Sequence, residues 1–163
     1  MKTLSNYRNT FFALLSTSLI TCSLLVACDK DDDDIDDNDN MFALSGNASG
    51  SQEIPSNTAT GTATLTGTYN KSTNSLSYTI NWTGLTNNLT AAHFHGPASA
   101  TETAGPLVDI MIGTNGLSGS TSATVTVSDA FETALLGGKI YYNLHTPLYP
   151  NGEVRSQVTA SAQ

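Results

Sequence analysis

The segment 75–82 alternates strictly between polar and apolar side chains, and this period restricts it to an extended conformation. Leu76, Tyr78, Ile80 and Trp82 occupy one set of alternate positions, while serine, threonine and asparagine occupy the other. Successive side chains of a β-strand point to opposite faces, so the pattern predicts a strand with one face buried and the other in water. Such half-solvated strands are typical of antiparallel sheets.

A weaker alternation of the same period covers residues 60–69, and the polar turn 70–74 joins it to the first segment as a predicted hairpin. Glycine and proline at 96–97, 105–106 and 150–152 separate the other short apolar runs. Strands are predicted from these runs at 89–95, 107–112, 122–127, 139–146 and 153–159.

One segment, 129–136, predicts a helix. Ser128 or Asp129 can cap its first turn, Glu132 lies within that turn, and Gly137 follows its end. Short strands separated by turns, with this one helix, favour an all-β fold. We predict an antiparallel Ig-like or Greek-key β-sandwich of about seven to eight strands.

Residues 1–27 have the pattern of an export signal, with Lys2 and Arg8 ahead of an interrupted apolar stretch. Serine and threonine interrupt this stretch too often for a permanent membrane span. It ends in Leu24-Leu25-Val26-Ala27-Cys28, which resembles the bacterial lipobox, where a small residue precedes a cysteine that becomes lipid-modified and N-terminal after cleavage. The resemblance implies a lipid anchor on Cys28, and an ordinary cleavage site with an incidental cysteine is the alternative. Several acyl chains on one residue would give stable membrane attachment.

Residues 28–40 continue as an acidic tether. Eight of the fourteen acidic residues of the chain lie between Asp29 and Asp39. Like charges at this density repel one another, and Ile35 alone is apolar, so we expect an extended spacer without a core. The run lacks the glycine and terminal glutamate of an EF-hand loop, which argues against calcium. Lysine followed by acids after Cys28 resembles the signal that sends some bacterial lipoproteins to the cell surface. We therefore expect an outer-membrane lipoprotein that faces outward.

The remaining segment, 41–163, is long enough for one domain and carries little charge. It has no cluster of lysine or arginine, so we expect no nucleic-acid partner. Cys22 would leave with the signal, and Cys28 would then have no cysteine partner for an intramolecular disulfide. The core of this domain must therefore be held by packing and hydrogen bonds.

Four ordered motifs in this segment resemble those of the CHRD (chordin-type) domain. They are Gly50-Ser51-Gln52-Glu53-Ile54-Pro55, Ala92-His93-Phe94-His95-Gly96-Pro97-Ala98, Asn143-Leu144-His145-Thr146 and Pro150-Asn151-Gly152-Glu153-Val154-Arg155-Ser156-Gln157. Asn151 and Ser156 replace glycines of the family pattern, and asparagine still tolerates a tight turn. The resemblance implies an extracytoplasmic all-β module, which in chordin-like proteins accompanies growth-factor binding. It implies no settled activity.

The three histidines are the main chemical feature of the domain. His93 and His95 are two residues apart on one predicted strand and therefore share a face, while His145 lies on another strand. If these strands are neighbours, three imidazoles can meet and bind zinc or copper. Asp109 or Glu153 could then supply an oxygen ligand or a hydrogen-bond acceptor. The alternative is that the histidines hold loops by bonding backbone carbonyls.

A structural polar network is the other predicted cluster, formed by Gln52, Glu53, Asn143, Glu153 and Arg155, in which Glu53 pairs with Arg155 or caps an edge. The sequence has neither a nucleophile elbow nor a glycine-rich phosphate loop. We therefore expect a non-catalytic binding or structural module, anchored to the membrane, whose partner is an extracellular protein or another ligand. No cofactor is expected apart from zinc or copper, which defines the first alternative, a metal-binding protein. An enzyme is the second.

Overall fold

The computed structural model describes residues 40–163. The predicted signal peptide, Cys28 and the acidic tether up to residue 39 lie outside the described residues. The described part contains strands and one α-helix. Their bounds are β1 Met41–Ser49, β2 Thr62–Asn70, β3 Ser75–Thr83, β4 Ala91–His95, β5 Pro106–Asp109, β6 Gly119–Thr126, α1 Asp129–Leu136, β7 Tyr141–His145, β8 Val154–Gln157 and β9 Thr159–Ala162.

The strands form one antiparallel sheet in the order β5-β4-β7-β8-β1-β2-β3-β6, with β9 paired to β1. The sheet is curled, and as a result strands that are far apart in this order meet across the core. The rings of Tyr78 on β3 and Phe94 on β4, for example, are 5.3 Å apart in an edge-to-face contact. The prediction of an all-β, antiparallel fold with one short helix is confirmed.

The alternation in β3 is reproduced by its burial. Leu76, Ile80 and Trp82 are 1%, 1% and 3% exposed, and they pack in the core. The intervening hydroxyls lie on the outer face, where Ser77 bonds Thr124 and Thr79 bonds Ser122 across to β6, each at 2.8 Å. The alternation of side chains between the two faces of a strand thus explains which residues of β3 are buried and which lie on the outer face.

β1 has no counterpart among the predicted strands. Its inward positions are Leu44, Gly46 and Ala48, and two of these are too small to give a clear apolar signal. The reason lies across the core: a Cβ on Gly46 would stand 2.9 Å from Cε1 of Tyr142. The Tyr142 ring fills that space, and its hydroxyl donates to the carbonyls of Gly46 and Ala63 at 3.2 and 3.1 Å.

The predicted strand 153–159 is divided into β8 and β9. Both pair with β1, β8 at Ser49 and β9 along Phe42–Ser45. Val158 separates them and is buried. The helix occupies its predicted bounds, with Ser128 Oγ accepting a hydrogen bond from the Phe131 amide at 3.3 Å. Within residues 40–163, no helix has both the length and the hydropathy needed to cross a membrane.

Candidate functional site

The three histidines lie on two neighbouring strands. β4 and β7 pair antiparallel, with His145 opposite Ala91, Asn143 opposite His93 and Tyr141 opposite His95. Alternate residues share a face, so all three imidazoles project to one side together with Asn143. Phe94 projects to the other side and is buried in the core. The structure therefore meets the condition for a shared histidine site, namely that the two strands are adjacent.

The imidazoles form a compact cluster. Nδ1 of His93 is 3.1 Å from Nε2 of His145. One ring nitrogen from each of the three histidines lies within 4.8 Å of those of the other two. His95 and His145 are buried, whereas the side chain of His93 is 24% exposed and gives the cluster one open side.

Backbone carbonyls fix the protonation of the two buried rings. Nδ1 of His95 is 2.9 Å from the Ala104 carbonyl oxygen, and Nδ1 of His145 is 3.0 Å from that of Pro150. A carbonyl can only accept, so each Nδ1 carries the hydrogen. Burial lowers the pKa of His95, and it lowers that of His145 to about 4, although the Pro150 carbonyl opposes the shift. Both rings are therefore neutral at pH 7, with a lone pair on Nε2.

His93 completes the arrangement from the open side. Because Nε2 of His145 is an acceptor, Nδ1 of His93 donates to it when no other group stands between them. The second nitrogen of His93, Nε2, is 3.7 Å from Oδ1 of Asp109 on β5. Moving the His93 proton from Nδ1 to Nε2 would turn it toward this carboxylate and free Nδ1 to bind a cation.

This donor set fits a zinc or copper ion. Bonds of 2.0–2.1 Å at tetrahedral angles place histidine nitrogens about 3.3 Å apart, close to the separation of His93 and His145. Metal-bound histidines generally donate their other N–H to a carbonyl or carboxylate, as His95 and His145 do here. Nε2 of His95 is buried and has no hydrogen-bond partner within residues 40–163.

Glu53 lies beside this cluster at the start of a loop. It is 6% exposed, and its Oε1 has no hydrogen-bond partner among the described residues. Burial raises the pKa of the Glu53 carboxyl to about 7, while the positive charge of Arg155 and the Asn143 side chain act in the opposite direction. The Asn143 amide nitrogen donates to the Asn151 carbonyl at 3.3 Å, which positions its side chain next to this loop.

Arg155 ties a loop to the sheet. Its Nη2 donates to the carbonyls of Ser99 and Glu102 at 3.1 and 2.8 Å and to Gln157 Oε1 at 3.1 Å. Its Cζ lies 3.6 Å from the centre of the Tyr141 ring, a cation–π contact. Within residues 40–163 no carboxylate lies in ion-pair range of Arg155, so Glu53 acts on it only through its charge.

The other two residues of the predicted network lie elsewhere. Gln52 is exposed, and its amide donates to the Asn47 carbonyl at 2.6 Å. Glu153 is fully buried and accepts hydrogen bonds from the Thr86 amide at 2.7 Å, the Thr86 hydroxyl at 2.9 Å and the Thr146 hydroxyl at 2.7 Å. Three donors compensate its charge without Arg155, so Glu153 forms a separate site that joins loops.

Three contacts of the histidine site were not foreseen from the sequence: the carbonyls of Ala104 and Pro150 and the ring of Tyr141. Tyr141 stacks on His95 with centroids 4.8 Å apart and planes 6° from parallel, and its hydroxyl donates to the Ala104 carbonyl at 3.0 Å. Tyr141 shares a face with Asn143 and His145, and this spacing was the available signal. Carbonyl positions in loops leave no mark on side-chain patterns.

The fold and the site together define a class: an all-β domain built on one curled antiparallel sheet, which carries a histidine cluster and buried polar residues on one face. The chain belongs to the CHRD family, since residues 44–158 match the family model described as CHRD domain. Searches of curated proteins and of solved structures gave no significant match. Membership in this family supports a binding or structural module rather than a catalyst.

Proposed function

We propose that this CHRD domain is a module of the bacterial cell envelope that binds one zinc or copper ion through His93, His95 and His145. One observation carries the proposal: two buried, neutral imidazoles are fixed through Nδ1 by backbone carbonyls, so each offers an Nε2 lone pair, and that of His145 is shared only with the third imidazole, His93. His93 supplies the third nitrogen from the exposed side. Holding a metal ion in this way needs no catalytic group and agrees with a binding module.

The test is metal analysis of the purified full-length protein, followed by titration with zinc and with copper. We expect one ion per chain, and we expect binding to be lost in His93→Ala and in His145→Ala. Thr124→Ala, an exposed substitution on the opposite half of the sheet, serves as the control and should bind like the wild type. Circular dichroism of each variant separates loss of ligands from loss of fold. Absence of stoichiometric binding in the wild type would end the proposal.

We further propose that Cys28 carries the lipid anchor and that the domain faces outward from the outer membrane. The lipobox-like sequence at Cys28 and the acidic spacer behind it support this placement. Mass spectrometry of the mature protein should find an acylated Cys28 at its N-terminus, and protease treatment of intact cells should remove the domain. Cys28→Ser should release the protein from the membrane fraction. A chain that retains Met1 in the envelope would contradict cleavage.

A further inference from the structure

The buried polar atoms that lack a partner are concentrated in one place. Within residues 40–163 there are four such side-chain atoms: Glu53 Oε1, His95 Nε2, Asn143 Oδ1 and Arg155 Nη1. All four residues line a single cavity of about 290 Å³. Buried polar groups are generally hydrogen-bonded, so four unpaired atoms around one cavity point to a polar ligand in it.

The cavity has a polar floor and an exposed rim. Glu53, Asn143 and Arg155 are only 6%, 3% and 1% exposed, so they form its base. Ile54, 41% exposed, and Pro55 stand at the rim. A second cavity of about 260 Å³ shares the 53–55 loop with the first and continues along the loop that ends at Gly152. The two cavities thus lie on either side of shared residues, which include Glu53, Ile54 and Asn151.

The charges on the floor select the ligand. The carboxyl of Glu53 disfavours an anion, and the buried guanidinium of Arg155 disfavours an ammonium group at the same place. A neutral hydroxyl satisfies both, because it donates one hydrogen bond and accepts two. Several adjacent hydroxyls would pair with the Glu53 and Asn143 acceptors and the Arg155 donor together. C–H groups on the same molecule can pack against Ile54 and Pro55.

We propose that this cavity binds a neutral saccharide, with Glu53, Asn143 and Arg155 as its hydrogen-bonding floor. Binding of a metal at the histidines and of a saccharide in the cavity are separate events. His95 borders the cavity, but its Nε2 is the atom assigned to the ion. The saccharide therefore has three partners that do not depend on the metal.

The experiment is calorimetric titration of the purified full-length protein with glucose, galactose, mannose, xylose, N-acetylglucosamine, maltose and cellobiose. Each titration is done after chelation and again after loading with zinc. We expect saturable binding of at least one sugar in both states. At pH 8, above the pKa of the Glu53 carboxyl, Glu53→Gln keeps the shape but removes the carboxylate. It should lower the affinity about tenfold or more, the loss of one hydrogen bond to a charged group.

Ile54→Trp provides a second variant, since this exposed rim position can take a larger side chain that covers the opening. It should abolish sugar binding while the protein stays folded, and Thr124→Ala should leave the affinity unchanged. Acetate and ethylamine are titrated in parallel as an anion and a cation. The proposal is overturned if no sugar of the panel binds at 10 mM or below, a limit of about 3 kcal/mol. Acetate or ethylamine binding in place of a sugar, or sugar binding unchanged in both variants, also overturns it. Sugar binding by a protein that takes up no metal would refute only the metal site.

Discussion

Nε2 of His93 lies 3.7 Å from Oδ1 of Asp109, its partner in register across β4 and β5. This carboxylate faces the one imidazole of the cluster that no backbone carbonyl holds. Coordination through Nδ1 requires the His93 proton to be on Nε2, where Asp109 can stabilise it. The pair therefore connects the exposed edge of the sheet to the buried ligands.

Asp109→Asn should weaken zinc binding without abolishing it. Partners of metal ligands generally contribute about 10–100-fold in affinity, and a site as exposed as Asp109, at 91%, belongs at or below the low end of that range. We expect a loss of about tenfold or less, measured by competition with a chelating indicator. Glu102→Gln, at another exposed carboxylate, is the matched control. A loss in Asp109→Asn as large as in His145→Ala would show that Asp109 is itself a ligand.

Glu53→Gln should change how stability depends on pH. The pKa of Glu53 is raised in the folded state from 4.5 to about 7, so the folded chain holds this proton more tightly than the unfolded chain. The contribution of Glu53 to the free energy of unfolding should therefore fall between pH 4.5 and pH 7, by up to about 3 kcal/mol. The lowered pKa values of His95 and His145 act in the opposite direction over this range and are common to both proteins. Urea unfolding at several pH values should therefore show that the free energy of unfolding of the wild type, relative to that of the variant, falls as the pH rises. Parallel profiles would contradict the buried carboxyl.

Glu153→Ala should destabilise the domain by about 3 kcal/mol, because it leaves the Thr86 amide and the hydroxyls of Thr86 and Thr146 without an acceptor. Glu153→Gln should cost less, since it keeps one oxygen and the hydroxyls can turn to accept from its amide. Denaturant unfolding measures both, with Asn88→Ala as an exposed control expected to stay within about 0.5 kcal/mol. Equal losses in the Gln and Ala variants would mean that charge, not hydrogen bonding, is the important property of Glu153.

Gly46→Ala should destabilise the domain by about 1–3 kcal/mol through overpacking. The added methyl group would meet the Tyr142 ring at 2.9 Å and the Gln157 carbonyl oxygen at 3.1 Å. Gly105→Ala is the control, because nothing lies within 4 Å of a Cβ at that position. A thermal melt compares the two variants. If both variants melt at the wild-type temperature, the Tyr142 ring can move away from residue 46 without loss of stability, and the prediction of overpacking is wrong.

Several features of the fold could be predicted because their signal is local. The helix bounds followed from a capping serine and a terminal glycine, and β3 followed from its alternation. β1 could not be predicted in this way. Its inward positions are small because the Tyr142 ring, almost a hundred residues away, fills the space above Gly46. The break at Val158 likewise depends on β1, which pairs with the strands on both sides of it.

The features of the site can likewise be separated into those set by local sequence and those set by long-range contacts. That His93 and His95 share a face is a property of any β-strand, so the sequence determined it alone. Whether His145 joins them depends on which strand lies beside β4 and in what register, and long-range pairing decides that. Glu153 and Arg155 are two positions apart, as His93 and His95 are, and yet they bind different partners. The loops around each side chain supply those partners. Alternation is fixed by backbone geometry within a few residues, whereas the neighbours of a side chain are fixed by contacts between distant parts of the chain.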